Sequence, residues 1–151
     1  MIVEILSLKK QALWGGILVS LLLAIGPLYA QEARSPVLHR ADEQAAMADS
    51  LREERQFDAA RTAYRRARLL YREEGALREA ASMTADIGVV YYYTGNLEAA
   101  LRSFREAITT VRKVGATEEV ANLLNNIGLI EWRRGQYDAA LQRLEASVRI
   151  H

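Results

Sequence analysis

Few side chains in this sequence stand at spacings that serve catalysis. The two histidines are His39 and His151, and neither has partners at triad or metal-ligand spacing. There is no cysteine, which excludes disulfides, thiolate metal sites and a cysteine nucleophile. No glycine-rich phosphate loop occurs. The paired acids Asp42-Glu43 and Glu118-Glu119 fall at helix starts, where they serve the helix macrodipole. What remains is recognition chemistry. Asn122, Asn125 and Asn126 are carboxamides that each donate and accept hydrogen bonds. Tyr92, Tyr93 and Trp132 offer large amphipathic surfaces at low entropic cost, and Asp86 and Arg133 add one charge of each sign. The expectation is a non-enzymatic binding protein without metal or cofactor. Arg61, Arg65, Arg68 and Arg72 form a basic run on one helix face. It reads either as a site for an acidic partner or anionic lipid, or as a solvated outer face balanced by Glu53, Glu54, Glu73 and Glu74, and the second reading is adopted.

These residues lie on a repeated phrase. Asp86-Ile87-Gly88 and Asn126-Ile127-Gly128 are 40 positions apart, as are Gly95 and Gly135, and Glu98-Ala99-Ala100-Leu101 and Asp138-Ala139-Ala140-Leu141. Phe57-Asp58-Ala59-Ala60 continues the register backwards. A unit of this length cannot bury its apolar face alone and stacks on its neighbours. After Ser35-Pro36, an N-cap followed by proline at the first helical position, no proline recurs. Gly75, Gly95, Gly115 and Gly135 then separate helices predicted at 36–55, 57–74, 76–94, 97–114, 116–134 and 137–151. Apolar residues such as Ile87, Val90, Leu97, Leu101, Phe104 and Ile108 follow the helical period, and no strand-like alternation is sustained. Gly88 and Gly128 fall in mid-helix, where glycine costs about 0.5–1 kcal/mol against alanine, so a close helix–helix approach is expected there. Ala48 takes that place in the first unit.

The chain opens differently. Lys9-Lys10, an uncharged run over residues 12–25 and a small residue at Ala30 have the form of a signal peptide cleaved after Ala30. Residues 12–30 are also just long enough, at about 20 residues per span, for an uncleaved membrane anchor. Either reading places the repeats outside the cytoplasm, in the periplasm or secreted. Without residues 1–30 the remainder carries equal numbers of basic and acidic residues. A neutral body has no long-range field for nucleic acid, so none is expected as a partner.

The phrase resembles the tetratricopeptide repeat: a mid-helix glycine, an aromatic, a turn glycine, an alanine, a bulky residue and a second alanine. Gly88, Tyr91, Gly95, Ala100, Phe104 and Ala107 match it in order. The third unit has Gly128, Gly135, Ala140 and Leu144, but Glu131 and Ser147 depart from the pattern, and the first keeps only Ala60, Tyr64 and Ala67. The longer period is similar to that of kinesin light chains and many bacterial exported or sensor proteins. The resemblance implies an all-α solenoid of three helix-turn-helix repeats. Their bounds are 41–80 (degenerate and capping), 81–120 and 121–151 (truncated), after a leader at 1–30 and a tether with first-helix entry at 31–40. It implies a scaffold that binds a protein or extended peptide in a groove lined by the first helix of each unit. Carried onto this chain, the contacts are Asp86, Tyr92, Tyr93, Asn122, Asn125, Asn126, Trp132 and Arg133, flanked by Asp42, Asp49, Arg52, Ser82, Val89 and Leu129. Carboxamides in such a groove suit the main chain of an extended peptide. Tyr91 is assigned to the core. Ala45, Asp49, Asp86 and Asn122 stand at most of the positions of the family's carboxylate clamp, so that clamp is not expected. Arg61 and Arg68 replace Leu101 and Ile108 and suggest a polar outer face capping the first unit.

Leu141, Leu144, Val148 and Ile150 form an apolar edge on the last helix. It suggests that further repeats or an effector domain follow, or that this edge mediates self-association. The alternative to a groove-binding scaffold is therefore a sensory or assembly module of a larger signalling or protease-like protein.

Overall fold

A computed structural model of the protein describes residues 35–150. Among these residues there are six helices and no strand. They are α1 (Pro36–Glu53), α2 (Phe57–Glu73), α3 (Leu77–Tyr93), α4 (Leu97–Lys113), α5 (Thr117–Arg133) and α6 (Tyr137–Val148). Each pair forms a hairpin, and the second helix of each hairpin packs on the first helix of the next. The all-α repeat solenoid expected from the sequence is what the chain adopts. The predicted leader at 1–30 and residues 31–34 of the predicted tether lie outside the described residues, while 36–40 already belong to α1. Among those described, no helix is long and apolar enough to cross a membrane.

The helix ends follow from backbone chemistry. Gly75, Gly95, Gly115 and Gly135 have φ between +71° and +79°, the left-handed region that a side chain disfavours. At each of these turns the next amide reaches back to a carbonyl five residues earlier, as Asn96 N–H does to Tyr91 O at 2.9 Å. The first hairpin makes the same closure, from Gln56 N–H to Leu51 O at 2.8 Å, with Arg55 forced to φ 62°. Loss of that glycine from the sequence therefore did not remove the turn.

The core is shared between units. One buried cluster joins Ala48, Tyr64, Ala67 and Tyr71 of the first unit to Ala80, Met83, Ile87 and Val90 of α3. The other joins Leu101, Phe104, Ile108 and Val111 of the second to Val120, Leu123, Leu124 and Ile127 of α5. Each first helix thus covers the unit before it. Gly88 is buried beneath Phe104 and Gly128 beneath Ala140 and Leu144, the close approach anticipated for mid-helix glycines.

Two expectations are corrected here. Arg61, Arg65 and Arg68 do not form an outer solvated face. Arg61 lies over the Tyr91 ring at 5.3 Å, Arg65 donates to Tyr91 Oη at 3.0 Å, and Arg68 meets Glu106 at 3.8 Å, so these three face the second unit, while Arg72 is exposed as expected. Asp58, Tyr91 and Glu106 engage these arginines, in place of the four glutamates expected. Tyr91 is accordingly half-buried, packed against both clusters with its hydroxyl engaged, and is not enclosed core. The polar face lies instead on α1. Arg40, Glu43, Gln44 and Met47 occupy the positions that are Ala80, Met83, Thr84 and Ile87 on α3, the side turned toward a preceding unit.

Candidate functional site

The first helices α3 and α5 leave a cleft of about 460 Å³ between them. Its floor is apolar and shallow: Ala81 and Ala85 from α3, Leu123 from α5 and Val111 from α4 beneath. Ser82, Asn122 and Asn126 line it with hydrogen-bonding groups. Asn122 and Asn126 are one helical turn apart and project from one face. None of the three makes a side-chain hydrogen bond among those found in the described residues. At one end Arg78 and Glu119 bridge the two helices as an ion pair, and a backbone hydrogen bond, with Arg78 adding to it, holds Glu119 below the usual carboxylate range. Small residues below and carboxamides at the wall give room and bonding capacity for an extended main chain.

The corresponding face between the first and second units is closed by its own polar network. Tyr64 donates to Asp49 Oδ1 at 2.6 Å, Arg52 donates to the same oxygen at 3.1 Å, and Arg52 stands 3.8 Å from Asp86 Oδ1. Tyr71 donates to Asp42 Oδ1 at 2.6 Å. Asp42 and Asp49, expected as groove contacts, therefore tie α1 to α2. Burial pushes the Asp86 carboxyl up to about 6; Arg52 opposes the shift and Asp49 adds to it.

The aromatic residues expected in the groove gather elsewhere, at the hairpin-turn end. Tyr93 stacks on Phe57 with centroids 6.0 Å apart, Tyr92 meets Tyr93 edge-on at 5.9 Å, and Arg133 covers the Tyr92 ring at 5.2 Å. Trp132 is 61% exposed and no ring or cation contact is found for it. Of the eight predicted contacts, Asn122 and Asn126 line the cleft, and Asn125 is exposed one turn away without lining it. Asp86 belongs to the network of the first junction. Tyr92, Tyr93 and Arg133 form the turn-end cluster. Arg78 and Glu119 were not anticipated. The signal was present as opposite charges 41 residues apart, one residue off the repeat period, in the first turns of consecutive first helices.

The family model described as Tetratricopeptide repeat matches residues 41–113 and again 78–151. Among solved structures, aspartyl phosphate phosphatase F from Bacillus subtilis is similar at 18% identity and a TM-score of 0.73, over 78% of this chain and 31% of that one. The Rap conjugation gene regulator of plasmid pLS20, solved in complex with the Phr* peptide, is similar at 21% identity and a TM-score of 0.70, over 81% and 33%. The N-terminal domain of stress-induced protein-1 from C. elegans is similar at 14% identity and a TM-score of 0.66, over 78% and 88%. The chain thus spans about a third of the length of the first two. No curated protein sequence matches it.

Proposed function

The chain belongs to the tetratricopeptide repeat family, and on that premise we propose that it is a non-catalytic scaffold holding an extended segment of a partner protein. The segment lies between α3 and α5. The observation that carries this reading is the cleft itself, with an apolar floor of small residues and unengaged carboxamides at Asn122 and Asn126. A structural relative solved with a bound peptide supports the same use of the fold. In this proposal Asn122 and Asn126 grip the peptide main chain, Ser82 and Asn125 extend the polar rim, and Arg78 with Glu119 bounds one end. Tyr92, Tyr93, Trp132 and Arg133 form a second contact surface, reached by a longer partner. Asp86 acts through the packing of the first junction. Residues 1–30 serve as an export leader or anchor, so the repeats work outside the cytoplasm.

Peptides selected from a displayed random library on the full chain provide the test. Two lost hydrogen bonds at about 0.5–1.5 kcal/mol each predict roughly tenfold weaker binding for the Asn122→Ala/Asn126→Ala double variant, with helicity unchanged by circular dichroism. Selected peptides that bind the double variant as tightly as the parent chain would remove the cleft from the mechanism.

A further inference from the structure

Beyond residue 30 the chain has equal numbers of acidic and basic residues, but they are not evenly placed. Among the described residues, α1, α3 and α5 carry nine acidic and four basic side chains, whereas α2, α4 and α6 carry six acidic and ten basic. The first helices, two of which wall the cleft, are therefore net acidic, and the second helices are net basic. A cleft with low-dielectric walls concentrates the field of the charges that line it.

The partition is clearest at the cleft itself. Glu79 and Glu119 are 40 residues apart and hold one repeat position on its two facing walls. Ser82 with Asn122, and then Asp86 with Asn126, continue the correspondence, and steps of three and four keep each set on one helix face. Arg78 is the one basic side chain lining the cleft among the described residues, and Glu119 engages it. Glu79 lines the same end, is exposed, and makes no ion pair among the described residues. Past the other end of the α3 wall, Arg52 is shared between Asp49 and Asp86. Each end thus holds two carboxylates for one guanidinium. The helix macrodipole accounts for an acid in a first turn, as at Glu79, but it gives nothing to Asp86 in mid-helix or to Asp49 near the C-terminus of α1. Between the two ends the rim is formed by uncharged carboxamides. A partner's main chain is also uncharged, so the excess of negative charge is left for its side chains to meet.

On the reading of the α3–α5 cleft as a peptide site, we propose that the segment it holds is cationic, with lysine or arginine side chains that complete the charge at Glu79 and, past the other end, at Asp49 and Asp86. Acidic segments are turned away by the same groups.

The probe is a displayed random peptide library selected on the full chain at low salt, after which one selected peptide is synthesised, capped at both ends and titrated by fluorescence anisotropy. Lysine and arginine are expected to be enriched over the unselected library. Exchange of the peptide's basic residues for norleucine should weaken binding about tenfold on the parent chain, and Glu79→Gln should weaken the basic peptide about threefold. High salt should weaken it as well. Glu79 is exposed, and circular dichroism verifies that the glutamine variant keeps its helicity. Neutral or acidic selected peptides that lose affinity on Asn122→Ala/Asn126→Ala leave the cleft in place and overturn the charge class. Basic peptides indifferent to that double variant bind elsewhere, and they overturn the cleft reading together with this one. Basic peptides weakened by the double variant but unchanged by Glu79→Gln overturn the charge selection alone.

Discussion

Gly88 at the middle of α3 lies directly under the ring of Phe104 on α4: a methyl group added to the glycine would stand 2.8 Å from Phe104 Cε1 and 3.1 Å from Ser103 Cβ. Phe104 is 2% exposed and lies within the core. Alanine would gain about 1 kcal/mol of helix propensity, but overpacking a filled core costs about 1–3 kcal/mol. Gly88→Ala is expected to lower stability by up to about 2 kcal/mol in urea unfolding. The third unit pairs Gly128 with the smaller Leu144. Adding Phe104→Leu to Gly88→Ala should therefore cost less than the two single changes together. Strict additivity in that cycle would show that ring contact is not the reason for the glycine.

Arg55 sits at φ 62° where the four later turns of the same kind, at Gly75, Gly95, Gly115 and Gly135, use glycine. A residue with a Cβ loses roughly 1–2 kcal/mol in this region, against about 0.5–1 kcal/mol of extra chain entropy that glycine loses on folding. Arg55 also lies over Phe57, but at 6.0 Å the attraction is at its outer limit. Arg55→Gly should raise the melting temperature slightly. The reverse change, Gly95→Arg, should lower stability by about 1 kcal/mol. Equal effects of the same sign would show that backbone strain does not govern these turns.

Asp86 gives a pH dependence whose direction is fixed by its environment. Burial raises its carboxyl from an ordinary 3.8 to about 6, so the folded chain holds this proton more tightly than the unfolded chain. The folded state binds more protons between those values, and stability therefore falls as pH rises from about 4 to about 6, then levels off. At about 1.4 kcal/mol per pH unit, the contribution lost is on the order of 2–3 kcal/mol. Asp86→Asn should flatten this part of the profile and leave the chain more stable than the parent at pH 7. A parent profile that rises through this range after the other carboxylates are accounted for would contradict the assignment.

Much of this was legible before any coordinates. A 40-residue period, glycine at each turn and small residues at 48, 88 and 128 are local requirements. They hold wherever the chain goes, because an αL turn or a crossed pair of helices admits few residue types. The carboxamides Asn122 and Asn126 were also legible, as polar residues on the solvent side of an otherwise apolar helix.

Direction was not legible. A helical stripe such as Arg61, Arg65 and Arg68 shows that those side chains share a face, while its partner is set by the next unit across the junction. The same is true of Asp49, which reads as a groove carboxylate and is held by Tyr64, and of Tyr93, which leaves the groove to stack on Phe57. The sequence by itself determined the repeat, its helices and the spacing of its contacts, because these follow from backbone geometry and near-neighbour periodicity. Only the tertiary structure decided which polar groups were used up between units and which faced solvent. That choice depends on pairs up to 41 residues apart meeting across packed helices, a relation that no periodicity along one helix encodes.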